Sequence, residues 1–241
     1  MDSPAAFPTW ISMIDCFYFD HDAPPWEETA TRGWLTPDEL AQAARFVFPK
    51  PRREFLLTRG ALRMLLAQRL AAEPNSLSFL KNGAGKPYLE AHPVHFNVSH
   101  AHGVSLIAIA SAGPVGVDVE AVRSLDSREA MARRWFHPAE VTALEQRNWD
   151  QEAFFVLWTA KEAVVKALGT GLGFGMDEVR IDLDQELRPT LGQLGKTADL
   201  PKSWQLISRT VSRGHRAAVA YQGPIQPIAW RELGNPPECL K

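Results

Sequence analysis

Apolar positions along this chain change their period several times, and each change marks an element. Residues 11–19 are apolar, β-branched and aromatic almost without a break, which predicts a strand. A loop rich in proline and acid follows from His21 to Glu28. Thr36-Pro37-Asp38-Glu39 then sets an N-cap threonine, a proline at the first helical position and a glutamate at the third, so a helix starts there. From about 52 to 73 the spacing stays helical, with Phe55, Leu62 and Leu66 on one stripe and Pro74 as the stop. Short strands are predicted at 77–81, 94–98, 104–110 and 115–120, with Gly83, Gly85 and Pro87 breaking the gap between the first two. Helices follow near 127–136, 138–146 and 151–168, then strands at 179–183, 204–210 and 215–221. This order of elements predicts an α+β fold of two lobes, each a sheet flanked by helices. The boundary falls at 111–114, giving lobes 1–112 and 113–241, with no repeat at the residue level.

Composition narrows the class. The 241 residues are 45% apolar and 22% charged, which suits a globular core and excludes disordered, collagenous and low-complexity chains. Lys and Arg number 26 against 28 Asp and Glu, so no charge excess calls for nucleic acid or an anionic membrane. Cys16 and Cys239 are too few for a disulfide framework and are read as free thiols of a reducing compartment. No apolar run reaches the ~18 residues of a membrane span. The first 31 residues hold no Lys or Arg, unlike secretory or mitochondrial leaders, so a cytoplasmic protein is expected.

Four segments carry chemistry. Residues 45–69 contain Arg45, Lys50, Arg52, Arg53, Arg59, Arg63 and Arg69 against a single acid, Glu54. Such a run is either a solvated face or a surface for phosphate, whose oxygens match the guanidinium fork. Lys81-Asn82-Gly83-Ala84-Gly85-Lys86-Pro87 places two glycines between lysines; read alone it is a hairpin turn, and its spacing is not that of a Walker A loop. Asp118 and Glu120 lie two apart on a strand and share a face. They are exposed acids at a strand end, or ligands of a hard cation that relieves their repulsion. On the helix at 151–168, Glu162 and Lys166 sit at the edge of an apolar arc made by Phe154, Leu157, Trp158, Val164, Val165 and Leu168. A surface ion pair and a half-buried pair at the mouth of a site both fit that geometry. Ser99-His100 lacks the glycine elbow of a hydrolase, and the seven histidines show no zinc spacing.

In this order and at these spacings the segments resemble the Sfp-type 4′-phosphopantetheinyl transferases. The carriers are Phe46-Val47-Phe48 with Arg59 and Arg63, Gly85-Lys86-Pro87, Asn97-Val98-Ser99-His100 and Gly116-Val117-Asp118-Val119-Glu120. The last is Trp158-x-x-Lys161-Glu162-x-x-x-Lys166-x-x-Gly169-x-Gly171, continued by Leu172-Gly173-Phe174. The resemblance covers residues 45–175 and implies two similar lobes related by a pseudo-twofold axis, with coenzyme A in the cleft between them. It implies transfer of the phosphopantetheine arm to a serine of an apo acyl- or peptidyl-carrier protein, releasing adenosine 3′,5′-bisphosphate. Asp118, Glu120 and Glu162 would then hold Mg²⁺, with Mn²⁺ as an alternative. Glu162 would serve as base, Lys166 as a phosphate contact and Lys161 in support. The implied coenzyme A contacts are Lys81, Gly85, Lys86, Pro87, Asn97, Ser99, His100, Asp118 and Lys166, with Arg45, Arg52, Arg53 and Arg59 as candidates for the 3′-phosphate. A monomer is expected, because the two lobes already pair within one chain. The rival reading is a non-catalytic module that binds coenzyme A or a carrier protein.

Overall fold

Two sheets lie face to face, and each carries one long helix on its outer side. The computed structural model describes residues 14–90, 92–171, 175–195 and 203–233. The first half comprises β1 (Ile14–Asp20), α1 (Glu28–Gly33), α2 (Pro37–Ala44), α3 (Pro49–Leu70), β2 (Phe79–Lys81), β3 (Pro87–Leu89), β4 (His95–Ala101) and β5 (Val104–Ala110). The second comprises β6 (Val115–Ala121), α4 (Arg128–Trp135), α5 (Pro138–Gln146), α6 (Gln151–Leu168), β7 (Val179–Leu183), β8 (Pro189–Leu194), β9 (Trp204–Val211) and β10 (His215–Gln222). A final strand, β11 (Ile228–Glu232), closes the described chain.

The fold is the expected α+β arrangement, and its two halves repeat one topology. The first sheet is ordered β11-β1-β5-β4 and the second β6-β10-β9, so β1-β5-β4 and β6-β10-β9 correspond strand for strand. A two-stranded ribbon follows the long helix in each half, β2-β3 after α3 and β7-β8 after α6. Strand β11 stands outside this repeat. It pairs in parallel with β1, Ile14 opposite Ile228, so residues that the division at 112/113 assigns to the second lobe edge the first sheet.

Alternation along the strands builds three apolar layers. Val104, Leu106, Ala108 and Ala110 of β5 meet Val115, Val117 and Val119 of β6 between the sheets. Ile107 and Ile109 point the other way, against Leu57, Ala61 and Leu65 of α3. Burial on both faces makes β5 apolar except at Ser105, whose buried hydroxyl bonds to Thr58 and His21. The third layer packs α6 on the outer face of the second sheet.

The predicted helix at 36–39 begins as read: Thr36 caps Glu39 and the Glu39 side chain accepts from the Thr36 amide. Helix α3 starts earlier than predicted, at Pro49, because proline is tolerated where no helical amide is needed. The spacing does not reveal α1, β3, β8 or β11. The last three are short pieces of three to six residues, two of them opening on proline. Residues 11–13, the Leu172-Gly173-Phe174 continuation and Cys239 lie outside the described residues. Cys16 is a buried free thiol.

Candidate active site

Strand β6 faces two ways by its own sequence. Its valines enter the layer between the sheets, which turns Gly116, Asp118 and Glu120 toward α6. The helix packs on this face so closely that a Cβ at Gly116 would stand 2.0 Å from the Ala163 carbonyl oxygen. Only glycine permits that approach, and it brings Asp118 within reach of the helix. Helix α6 is fixed at both ends: Asp150 accepts from the Ala153 amide at 2.7 Å, and Gly169 closes it in the left-handed conformation. Strand β4 supplies the third wall. Asn97 accepts from the Val117 amide at 2.9 Å, which docks β4 on β6 and sets Ser99 opposite Asp118.

Asp118 is the centre of the cluster. Its Oδ1 accepts from Ser99 Oγ at 2.8 Å and from Lys166 Nζ at 2.6 Å, and Lys166 also donates to Ser99 at 3.2 Å. Of the two sequence readings of Glu162 and Lys166, the half-buried one holds, since Lys166 pairs with the buried Asp118 of β6 within the second half. Burial and then the Asp118 charge push Glu120 up to about 7. The same two causes, in the same order, raise Glu162, partly opposed by Lys166.

These residues fit a hard divalent cation. Asp118 Oδ2 is buried and has no hydrogen-bond partner. The two neighbouring carboxylates repel it, with Lys166 and Arg123 as positive charges that oppose them. Oxygen donors of one sign, desolvated together, are what Mg²⁺ binds. As the side chains stand, no three acids or histidines among the described residues already close on one point, so ligation requires rotamer adjustment.

A cleft leads away from this cluster. One cavity of about 260 Å³ is lined by Gly85, Pro87, Asn97, Val98, Glu162 and Lys166. A second of about 310 Å³ shares Pro87 and Val98 with it and continues to Thr58, Arg59 and His100. Arg59 lies over the rings of Phe55 and Phe79, with Glu39 at 3.6 Å. The other candidate arginines are placed differently. Arg53 donates to the His21 carbonyl, Arg52 is half-buried with Nε unpartnered, and Arg45 is exposed at the end of α2. Lys81 is exposed at the end of β2.

Three residues of the sequence motifs serve the scaffold instead. Arg63 is buried, paired with Glu39 at 2.6 Å and bonded to the carbonyls of Pro74 and Leu77, so the arginine run is not one uniform face. Lys161 is fully buried; it donates to Glu140 at 2.6 Å and to the Val179 carbonyl, tying α6 to α5 and β7. Lys86 was expected at the nucleotide, but its ammonium donates to the carbonyls of Val115, Lys166 and Ala167. Desolvation lowers that ammonium to about 8. Sequence reasoning missed Thr58, Glu54 and Val98 as cleft residues, because nothing in their spacing separates them from core positions.

Residues 114–221 match the family model described as the 4′-phosphopantetheinyl transferase superfamily, and 25–112 match that of a 4′-phosphopantetheinyl transferase N-terminal region. The chain is 36% identical over 203 residues to the 4′-phosphopantetheinyl transferase HetI of Nostoc sp., covering 81% of this chain and 82% of that one. A putative 4′-phosphopantetheinyl transferase of Synechocystis sp. is 32% identical, with 84% of this chain and 91% of that one covered. Sfp of Bacillus subtilis is 25% identical over 90% of this chain and 97% of its own.

Proposed function

Because this chain belongs to the 4′-phosphopantetheinyl transferases, an enzyme family that moves the phosphopantetheine arm of coenzyme A onto carrier proteins, we propose how its own residues perform that transfer. The carrying observation is the convergence of Ser99, Asp118 and Lys166 at the end of a cleft walled by Gly85, Pro87 and Glu162. Glu162, whose carboxyl is raised by burial and by Asp118, accepts the proton of the carrier serine hydroxyl, directly or through water. The serine oxygen bonds to phosphorus as the bond to adenosine 3′,5′-bisphosphate breaks. Lys166 holds the pyrophosphate and offsets the charge that collects on the leaving group. His100 donates to a phosphate oxygen, Ser99 does so when its single hydroxyl hydrogen turns from Asp118 Oδ1 to the substrate, and Arg59 takes the 3′-phosphate.

Asp118, Glu120 and Glu162 are the residues that would hold the metal, for which Mg²⁺ is the choice of their hard oxygen donors. When bound, it would neutralise the three acids and polarise a phosphoryl oxygen. We assign the nucleotide contacts to the lobe 1–112 and the metal and catalytic helix to 113–241, within a monomer. The substrate is an apo acyl- or peptidyl-carrier protein. No helix among the described residues is long and apolar enough to cross a membrane. The free Cys16 thiol suits a reducing cytoplasm.

The test is intact-protein mass spectrometry of an apo carrier protein incubated with enzyme, coenzyme A and Mg²⁺. The carrier gains one phosphopantetheine arm, and chelation abolishes the gain. Glu162→Gln is expected to slow transfer by about 10²- to 10⁴-fold while coenzyme A still binds. Normal turnover by that variant removes Glu162 from the mechanism.

A further inference from the structure

The last carbonyls of a helix have no amide further along to receive. In α6 two of them, those of Lys166 and Ala167, accept Lys86 Nζ at 2.6 and 3.3 Å, and the Val115 carbonyl of β6 accepts it at 3.1 Å. Asn82 adds a fourth link, Nδ2 to the Gly169 carbonyl at 2.9 Å. Its Oδ1 accepts from the amides of Ala84 and Lys86 and so shapes the turn that presents the lysine. Every donor of these four links lies between β2 and β3 in the first half. Every acceptor lies in the second half.

An ammonium has three hydrogens, and three carbonyls receive them, so none is left for a phosphate. A positive charge at the negative end of a helix is favourable, more so where water is excluded. We propose that Lys86 is a positioning residue: reaching over from the first half, it caps the C-terminal turn of α6 and thereby holds Lys166 at Asp118. The proposal rests on the transferase reading above. It separates the lysine side chain from the turn's backbone, which remains the nucleotide-facing surface.

The test uses the full chain with Lys86→Met, which keeps the stem and removes the donors, and Lys86→Arg, which keeps charge and donors. In Lys86→Met, kcat should fall about tenfold or more while the dissociation constant for coenzyme A, measured by calorimetry, moves less than about threefold. Hydrogen exchange of the amides at 165–171 should quicken in Lys86→Met, and Lys86→Arg should retain part of the protection. If Lys86→Met does not fold, Asn82→Asp decides. It keeps the acceptor that shapes the turn and loses the donor to Gly169, and it should show the same exchange signature with a smaller loss of kcat. A tenfold or greater rise in the coenzyme A dissociation constant at near-normal kcat would make Lys86 a phosphate ligand and overturn the proposal. Unchanged kinetics and exchange would overturn it too. Absence of transfer by the unmodified protein would defeat the transferase reading but leave the exchange comparison intact.

Discussion

Arg59 and Glu120 show how neighbours decide what a side chain can do. Arg59 meets its carboxylate neighbour, Glu39 Oε1, only through Nε at 3.6 Å, whereas Arg63 at 2.6 Å and the Thr36 amide at 3.1 Å bond to that acid's Oε2. The guanidinium therefore keeps donors for the cavity it lines with His100. Arg59→Ala should weaken coenzyme A more than dephospho-coenzyme A in a binding titration; equal weakening would mean that it does not read the 3′-phosphate. Glu120 is raised in the folded state from 4.5 to about 7. Between these values the folded protein binds more protons than the unfolded one, so this group lowers stability as pH rises through the window. Relative to Glu120→Gln, the metal-free protein should thus lose melting temperature between pH 5 and about 8. Added Mg²⁺ should restore it at the upper end and not at the lower, and parallel profiles for the two proteins would refute the assignment. The carboxylate pair was legible in the sequence because strand alternation alone puts Asp118 and Glu120 on one face. The fate of each arginine was not, because Arg63 and Arg59 differ only in what lies across from them, and that is set by α2 and by the chain at 74–77.

Helix α6 and strand β6 act as a unit whose spacing is fixed by one missing side chain. A Cβ at Gly116 would collide with backbone, 2.0 Å from the Ala163 oxygen and 2.3 Å from the Ala167 nitrogen, and backbone cannot rotate away. Gly116→Ala should cost about 1–3 kcal/mol of stability in denaturant unfolding and lower activity further, since Lys166 moves with the helix. A variant with unchanged stability and activity would show that the helix can retreat freely. The Lys161–Glu140 pair restrains the same helix from its other side. Glu140 accepts from Lys161, from the Ile181 amide at 2.7 Å and from the His137 amide at 2.8 Å, so its buried charge is fully engaged. Both long helices were legible, since apolar residues at helical spacing run through each. Only one strand of each ribbon was, β2 and β7, because their partners β3 and β8 are short and open on proline.

At the scale of the molecule, two halves with the same strand order enclose the cleft, although their sequences show no repeat. Topology is conserved between the halves by the order of sheet pairing, which depends on contacts far apart in sequence and leaves no local signature. The same holds for β11. Its run Ile-Ala-Trp-Arg-Glu is too brief to announce a strand, and its parallel partner lies at the opposite end of the chain. Arg231 pairs with Asp15 at 3.4 Å, and the Leu233 amide donates to the Tyr18 carbonyl at 2.8 Å. Removing residues 224–241 should lower the melting temperature by on the order of 5–10 °C. It should also speed exchange in β1 while β6 and β10 keep their protection; an unchanged melt would show that the strand is dispensable. This strand also orders events during synthesis. Until residues 228–232 leave the ribosome, one edge of β1 stands unpaired, a template for any other extended chain. The second half can close its own sheet before β11 is made, whereas the first half waits for it. The nascent enzyme is therefore most exposed to aggregation at β1, which is made long before its partner.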